Sequence, residues 1–181
     1  MKYEKTVILK TGVPLQVRNG CETDAQTVYE NFTQTHTETD YLLSYADERS
    51  FDPDGDAACL KEKAESADEV ELIALIDGKV VGTAGVQAVG KKYKVKHRAE
   101  FGISILKDYW GWGIGRVLTE CCIDCARKAG YAQLELSVVA NNKRAIQMYQ
   151  KAGFKEYGRN PKGFNSRLTG FQELVYMHLE L

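Results

Sequence analysis

The spacing of apolar positions changes several times along the chain, and these changes predict the elements of its first half. The predicted elements are two short strands around a Thr11-Gly12 turn, a helix over 23–38, an aperiodic stretch at 38–52 and a helix from near Asp54 to Ser66. Thr23 and Gln26 have the spacing of a capping box at the start of the first helix. The first half therefore mixes strands with helices.

The pattern of apolar residues in the second half of the chain predicts a hairpin, a further strand and a long amphipathic helix. The hairpin covers 70–90 and turns at Asp77-Gly78. The strand within 94–106 alternates two sets of residues on its two faces, namely Phe101, Ile103 and Ile105 against Glu100, Gly102 and Ser104. The helix that follows ends at Gly130 and has apolar residues at 114, 117, 118, 121, 122, 125, 126 and 129. A strand over 133–139, a helix ending at Gly153 and strands near 154–159 and 171–180 complete a single mixed α/β domain over 1–181.

The charge of the chain is nearly balanced overall but unevenly distributed. The 181 residues carry a formal net charge of −1, which argues against a general nucleic-acid-binding protein. Residues 22–72 contain 15 acidic and 3 basic side chains, whereas the remainder contains 21 basic and 10 acidic ones. Two solvated faces explain most of these side chains. The alternative is a cationic ligand at the acidic segment and a polyanionic ligand at the rest.

Cysteine usage and hydropathy indicate the compartment. The first ten residues are too weakly apolar for a signal peptide, no stretch approaches a membrane span, and five cysteines are an odd number for a disulfide framework. We therefore expect a cytoplasmic protein with reduced thiols. Cys121, Cys122 and Cys125 lie on the apolar stripe of their helix, so core packing is expected there rather than a metal site.

Two charged runs have simple structural explanations. An aspartate triplet over 52–56 begins like a calcium-binding loop, but Ala57 and Lys63 stand where that loop requires glycine and glutamate. An acidic first helical turn is the expected role. The run KKYKVKHR at 91–98 is expected to form a charged hairpin edge that discourages aggregation.

The stretch YWGWGIGRVL at 109–118 is the strongest candidate for a binding site. A strand leads into it and a helix leads out, so several unpaired N–H groups at the helix start should point towards one anion. Glycine allows a phosphate to approach the backbone closely, and Arg116 can add a charged contact. Arg116 also stands where a dinucleotide fingerprint needs its third glycine, and no Gly-Lys-Ser/Thr follows as in a P-loop.

A second motif lies about thirty residues later, in NNKRAIQMYQKAGF at 141–154. Its spacing is N-x-x-A-x-x-x-Y-x-K-x-G-F, from Asn142 to Phe154. Together with EFGISILKDYWGWGIGRVL at 100–118, it resembles the GNAT superfamily of acetyl-CoA-dependent N-acetyltransferases. The family's turn usually opens with Arg or Gln where this chain has Trp110, so one side-chain contact to the pyrophosphate is expected to be missing.

The resemblance implies a mixed, mostly antiparallel central sheet, flanked by helices, in which two central strands splay apart. Acetyl-CoA would bind as co-substrate, with its pantetheine arm along the strand before the turn and its pyrophosphate at 111–116. No metal is implied. Lys143 is a further basic residue expected near the nucleotide end. The implied cofactor-binding residues are Ile103, Ser104, Ile105, Gly111, Trp112, Gly113, Ile114, Gly115, Arg116, Asn142 and Lys151.

Amide synthesis from a thioester requires a neutral amine, a polarised carbonyl and a protonated leaving thiol. Tyr149 is the candidate general acid for the thiolate, and its alternative role is aromatic packing on the sheet. Glu100 is the candidate base, acting directly or through water, and its alternative role is a surface carboxylate that balances Arg98. A strand N–H near Ile103 or Ile105 would polarise the carbonyl.

The acceptor is expected to be a small-molecule amine. Glu38, Asp40, Asp47 and Glu48 lie in the stretch that shapes the acceptor pocket in this superfamily, and they would attract a polyamine, an amino acid or an aminated antibiotic. Two alternatives are acetylation of a protein N-terminus or lysine, and an acyl-CoA-binding sensor without turnover. No nucleic-acid or membrane partner is expected, and a homodimer stays open.

Overall fold

Eight strands in one mixed sheet form the centre of the protein in a computed structural model that describes all 181 residues. The strands are β1 (Glu4–Ile8), β2 (Pro14–Asn19), β3 (Val70–Ile76), β4 (Lys79–Ala88), β5 (Arg98–Ile105), β6 (Gln133–Val139), β7 (Lys155–Ser166) and β8 (Gly170–Glu180). Their order across the sheet is β1-β2-β3-β4-β5-β6-β8-β7. Only β5 and β6 run parallel to each other. The predicted mixed, mostly antiparallel sheet is therefore confirmed.

Four helices cover the two faces of this sheet: α1 (Ala25–Glu38), α2 (Pro53–Glu65), α3 (Ile114–Lys128) and α4 (Lys143–Lys151). The apolar stripe of α3 packs into the main core together with one face of the strands. Val28 of α1 packs on the opposite face, against Ile73, Leu75 and Val80. None of the four helices is both long and apolar enough to cross a membrane.

The turns form where the sequence places residues that tolerate positive φ. Asp77 and Gly78 connect β3 to β4 with φ values of 50° and 77°, as a two-residue hairpin turn requires. Gly130 follows α3 with φ 81°. This left-handed residue ends the helix because it cannot continue the right-handed backbone.

The predicted packing of the cysteine trio is confirmed. Cys121, Cys122 and Cys125 are buried in the main core, and all five thiols of the chain are free. Burial raises the pKa of Cys125 to about 12 and also raises the pKa values of the other two. These thiols therefore stay protonated, as apolar core groups should.

Two local predictions are wrong. The Thr23–Gln26 capping box does not form, because a short 3₁₀ turn precedes α1 and Asp24 accepts the backbone N–H of Cys21 at 2.8 Å. The run at 91–97 is also not part of a hairpin strand. It forms hydrogen-bonded turns before β5 begins at Arg98, since a run of lysines there gains more from solvation than from pairing.

Strands β5 and β6 separate soon after they begin to pair. Their register covers only Arg98–Glu100 against Gln133–Glu135, although β5 extends to Ile105 and β6 to Val139. The strands on either side stay fully paired, β4 with β5 and β6 with β8. The central strand pair is therefore splayed, as the resemblance implied.

Candidate functional site

The gap between β5 and β6 opens into a cleft of about 1040 Å³. One end is bordered by α1 and the loop that follows it, and the other by the glycine turn, α3 and α4. Because α1 packs on one face of the sheet and α3 on the other, the gap connects the two faces. A ligand in the gap can therefore be approached from both sides.

The glycine turn presents a set of backbone donors to this cleft. Gly111 and Gly113 have φ values of 93° and 95°, and α3 begins directly after Gly113. The following backbone N–H groups have no hydrogen-bond acceptor in the protein: Gly111, Gly113, Ile114, Gly115 and Arg116. Unpaired donors at the positive end of a helix dipole form a site suited to a phosphate group.

Arg144, which the sequence analysis overlooked, lies beside this turn. Its guanidinium is 5.9 Å from the centre of the Trp110 ring, and one of its nitrogens lies 3.2 Å from the position that a Cβ would occupy at Gly111. Trp110 is itself fixed, because its indole N–H donates to the carbonyl of Ile105 at 2.8 Å. A basic residue in the first turn of the helix after β6 was the signal available in the sequence.

The predicted cofactor residues separate into two groups. All of them line the cleft except Trp112, which packs on Tyr109 at 5.2 Å between ring centres, and Lys151. Lys143 also lies outside the cleft. Asn142 lines the cleft, but its side-chain oxygen accepts the Ala145 N–H at 3.2 Å and caps α4, which leaves its NH₂ group free for a ligand.

The edge of β5 that faces the gap carries unpaired backbone groups. The Leu106 N–H donates to the carbonyl of Val81, and the Val89 N–H donates to that of Arg98, so the even-numbered residues of β5 pair with β4. The odd-numbered residues therefore face the gap. Ile103 lies beyond the last pair with β6, so its N–H and carbonyl are available to an extended ligand.

Tyr149 projects from α4 into the same cleft. Its ring packs edge-on against Phe101 at 6.1 Å and against Phe154 at 5.9 Å. Its hydroxyl makes no hydrogen bond within the protein, although the residue is only 7% exposed. Burial raises the pKa of Tyr149 above its ordinary value near 10, so the hydroxyl is protonated at neutral pH and free to donate.

Glu100 lines the cleft from the face of β5 opposite Phe101. The expected alternative, pairing with Arg98, is not what the structure shows. Arg98 instead binds Glu135 through two hydrogen bonds, one of them 2.7 Å from Nη2 to Oε2. Glu100 is left with no ion pair or hydrogen-bond partner, and it is the only carboxylate of the cleft in that state, because Glu71 binds Lys63 at 2.8 Å.

The acidic residues expected to attract the acceptor do not line the cleft. Glu38 accepts the Lys107 N–H at 2.7 Å, and three others hold the loop after α1 to the tip of the β7–β8 hairpin. Their contacts are Asp40 with Ser166 at 2.6 Å, Asp47 with Arg167 at 2.7 Å, and Glu48 with Arg167 at 3.6 Å. The structure does not place these carboxylates around the acceptor, because three of them fix the loop and Glu38 binds the backbone of Lys107.

The splayed central strands and the turn with unpaired N–H groups together indicate an acyltransferase fold. The chain belongs to the acetyltransferase (GNAT) family, whose model matches residues 26–154. It is similar in structure to an acetyltransferase of the GNAT family from Streptococcus pneumoniae, with a TM-score of 0.88 and 27% sequence identity over 92% of this chain and 99% of that one. The resemblance stated above is thus confirmed.

Two curated relatives come from Escherichia coli strain K12. A ribosomal protein bS18 alanine N-acetyltransferase is 45% identical over 56 residues, which is 31% of this chain and 38% of the relative. An L-amino acid N-acetyltransferase is 32% identical over 93 residues, which is 51% of this chain and 57% of the relative. The chain therefore spans less than two thirds of the length of either relative.

Proposed function

We propose that this protein transfers an acetyl group from acetyl-CoA to the primary amine of a small molecule. One observation carries the proposal: the five unpartnered amides of the glycine turn face a gap in the sheet that also contains the free hydroxyl of Tyr149. The first feature suits a diphosphate, and the second suits a leaving thiolate. Membership of the acetyltransferase family supports the same reading.

The cofactor would bind along the gap from the turn to Tyr149. The diphosphate would accept hydrogen bonds from the amides of the turn, and Arg144 would supply a charge where the family usually has Arg or Gln in place of Trp110. The pantetheine arm would pair with the backbone of Ile103, because an extended chain can complete the ladder that β6 leaves unfinished. The acetyl carbonyl would then accept a backbone N–H at this edge of β5.

Starting from an ammonium group, the chemical step removes two protons from the nitrogen and supplies one to the sulfur. Glu100, as the cleft's unpaired carboxylate, would accept the proton of the ammonium group, directly or through a water molecule. The neutral amine would attack the thioester carbonyl, and the carbon–sulfur bond would break as Tyr149 donates its proton to the departing sulfur. The nitrogen, now bonded to the acetyl carbon, would give its second proton to the Tyr149 phenolate, which restores the hydroxyl. Burial raises the pKa of Tyr149, so the hydroxyl carries its proton when the step begins.

A small acceptor is supported by the loop after α1. The contacts of Asp40 and Asp47 to the β7–β8 hairpin hold this loop against the sheet, and residues 41–44 of the loop line the acceptor end of the cleft. An L-amino acid is the acceptor in the name of one relative, and the alanine of a ribosomal protein in that of another. A folded protein would need to reach past this fixed loop to place its amine near Glu100.

Release of the CoA thiol, measured with a broad panel of amines and peptides, tests the proposal. We expect thiol release with small amines and little or none with peptides. Binding of acetyl-CoA without thiol release from any acceptor would identify a sensor, and acetylation of peptides alone would identify a protein acetyltransferase. Calorimetry with Arg144→Gln tests the cofactor site: we expect acetyl-CoA to bind about tenfold more weakly. The control is Arg159→Gln, which removes the same charge from the β7–β8 hairpin outside the cleft and should bind acetyl-CoA normally.

A further inference from the structure

The charges at the acceptor end of the cleft cancel almost completely. Two of the three carboxylates there are neutralised by cations that also line the cleft, Glu71 by Lys63 and Glu135 by Arg98. Glu100 lines the cleft with no ion-pair or hydrogen-bond partner. A substrate with several positive charges, such as a polyamine, would therefore find a single negative group and not an acidic pocket.

Arg49 is the one cation at this end whose partner lies outside the cleft. It forms an ion pair with Asp56, in the first turn of α2, through one nitrogen. Its guanidinium lies over two aromatic rings of α1, with its carbon 4.9 Å from the centre of Phe32 and 5.6 Å from that of Tyr29. The side chain is nevertheless 39% exposed and lines the cleft.

These contacts fix the guanidinium without using all of its donors. An arginine has five N–H groups in a planar fork, and the Asp56 contact and the ring stacking leave part of that fork uncovered. A guanidinium held in advance in this way loses little entropy when it binds a carboxylate through two parallel hydrogen bonds. The cleft thus contains one unpaired negative group, Glu100, and one positive group with open donors, Arg49.

We propose that the acceptor carries a carboxylate as well as its primary amine, and that Arg49 binds the carboxylate. This proposal rests on the proposed function. The amine would lie near Glu100 and the acetyl group, while the carboxylate would face α1. Phe32, Tyr41 and Leu42 also line this end, so an amino acid with an apolar side chain is the substrate class that suits it.

Matched triples of amines test this proposal. Leucine, leucinamide and isoamylamine share one carbon skeleton, as do phenylalanine, phenylalaninamide and phenethylamine. Within each triple, the carbon that bears the amine carries a carboxylate in the first compound, a neutral amide in the second and neither group in the third. The wild-type protein should favour each amino acid over its amide by about tenfold or more in kcat/KM. The amide has the less basic amine, so amine basicity alone would produce the opposite order.

The variant Arg49→Gln should abolish the preference, because kcat/KM for the amino acids should fall about tenfold further than kcat/KM for the amides. Arg159→Gln is the control, because Arg159 pairs with Glu156 and Glu173 on the hairpin, outside the cleft, and its loss changes the net charge equally. Equal rates for acid and amide in the wild type, or an equal fall for both in Arg49→Gln, would overturn the proposal. Absence of thiol release with every amine tested would instead overturn the proposed function.

Discussion

Replacing Tyr149 by phenylalanine separates chemistry from packing, because the hydroxyl makes no hydrogen bond within the protein. The contacts of the ring with Phe101 and Phe154 survive the change, so the free energy of unfolding should move by less than about 1 kcal/mol. Loss of a general acid should lower kcat by ~10²–10⁴-fold. The lower limit corresponds to about 2.7 kcal/mol of transition-state stabilisation.

The assay for this variant is thiol release at saturating acetyl-CoA, with the dissociation constant for acetyl-CoA measured by calorimetry. The control is Tyr131→Phe, since the Tyr131 hydroxyl likewise makes no hydrogen bond but is buried outside the cleft. We expect Tyr149→Phe alone to lose turnover, with acetyl-CoA affinity nearly unchanged. A kcat within about twofold of the wild type would show that Tyr149 only packs, and the proposed acid step would be wrong.

Three further predictions concern the base, the turn and the acid stability of the fold. Glu100→Gln should flatten the acidic limb of the kcat/KM profile, and an identical profile would exclude Glu100 as the base. Gly113→Ala adds a methyl group that meets no atom within 4 Å, but at a φ of 95° its backbone is strained by about 1–2 kcal/mol. We expect this strain to weaken acetyl-CoA binding. An unchanged dissociation constant for acetyl-CoA would remove Gly113 from the site. The hydrogen bond from Arg18 lowers the pKa of Asp24 to about 2 from 3.8. The ionised Asp24 therefore contributes about 2 kcal/mol to the free energy of unfolding above pH 4, and this contribution is lost as the pH falls towards 2. In urea unfolding, the difference in stability between the wild type and Asp24→Asn should disappear over that range. A difference that stays constant with pH would contradict the assignment.

Most predictions that depend on neighbouring residues agree with the structure, although the Thr23–Gln26 capping box does not. The stripe of α3, the Asp77-Gly78 hairpin and the alternation along β5 follow from periodicity and turn chemistry, which act over a few residues. The glycine turn could likewise be recognised from the sequence, because the residues that open it also begin the helix. Its donors are free for the same local reason, since the first turn of a helix has no partners for its N–H groups.

The pairing of charges was not accessible in this way. Glu100 stands two residues from Arg98, yet Arg98 binds Glu135 on the next strand. The loop carboxylate Asp47 binds Arg167, which lies 120 residues further along the chain. Side chains so distant in sequence meet only after the sheet has formed. Which of the many oppositely charged side chains form ion pairs therefore depends on the arrangement of the strands and loops.

The sequence alone thus determined the order of the elements, the turn that faces the cofactor end and the presence of a tyrosine on α4. The tertiary structure decided which of the chain's many charges stay free in the cleft. In the folded protein Glu100 has no ion-pair partner and the guanidinium of Arg49 is partly exposed to the cleft. The acidic loop after α1 is instead bound to the β7–β8 hairpin. Local periodicity carries the first kind of information, whereas long-range packing of β5, β6 and the β7–β8 hairpin carries the second.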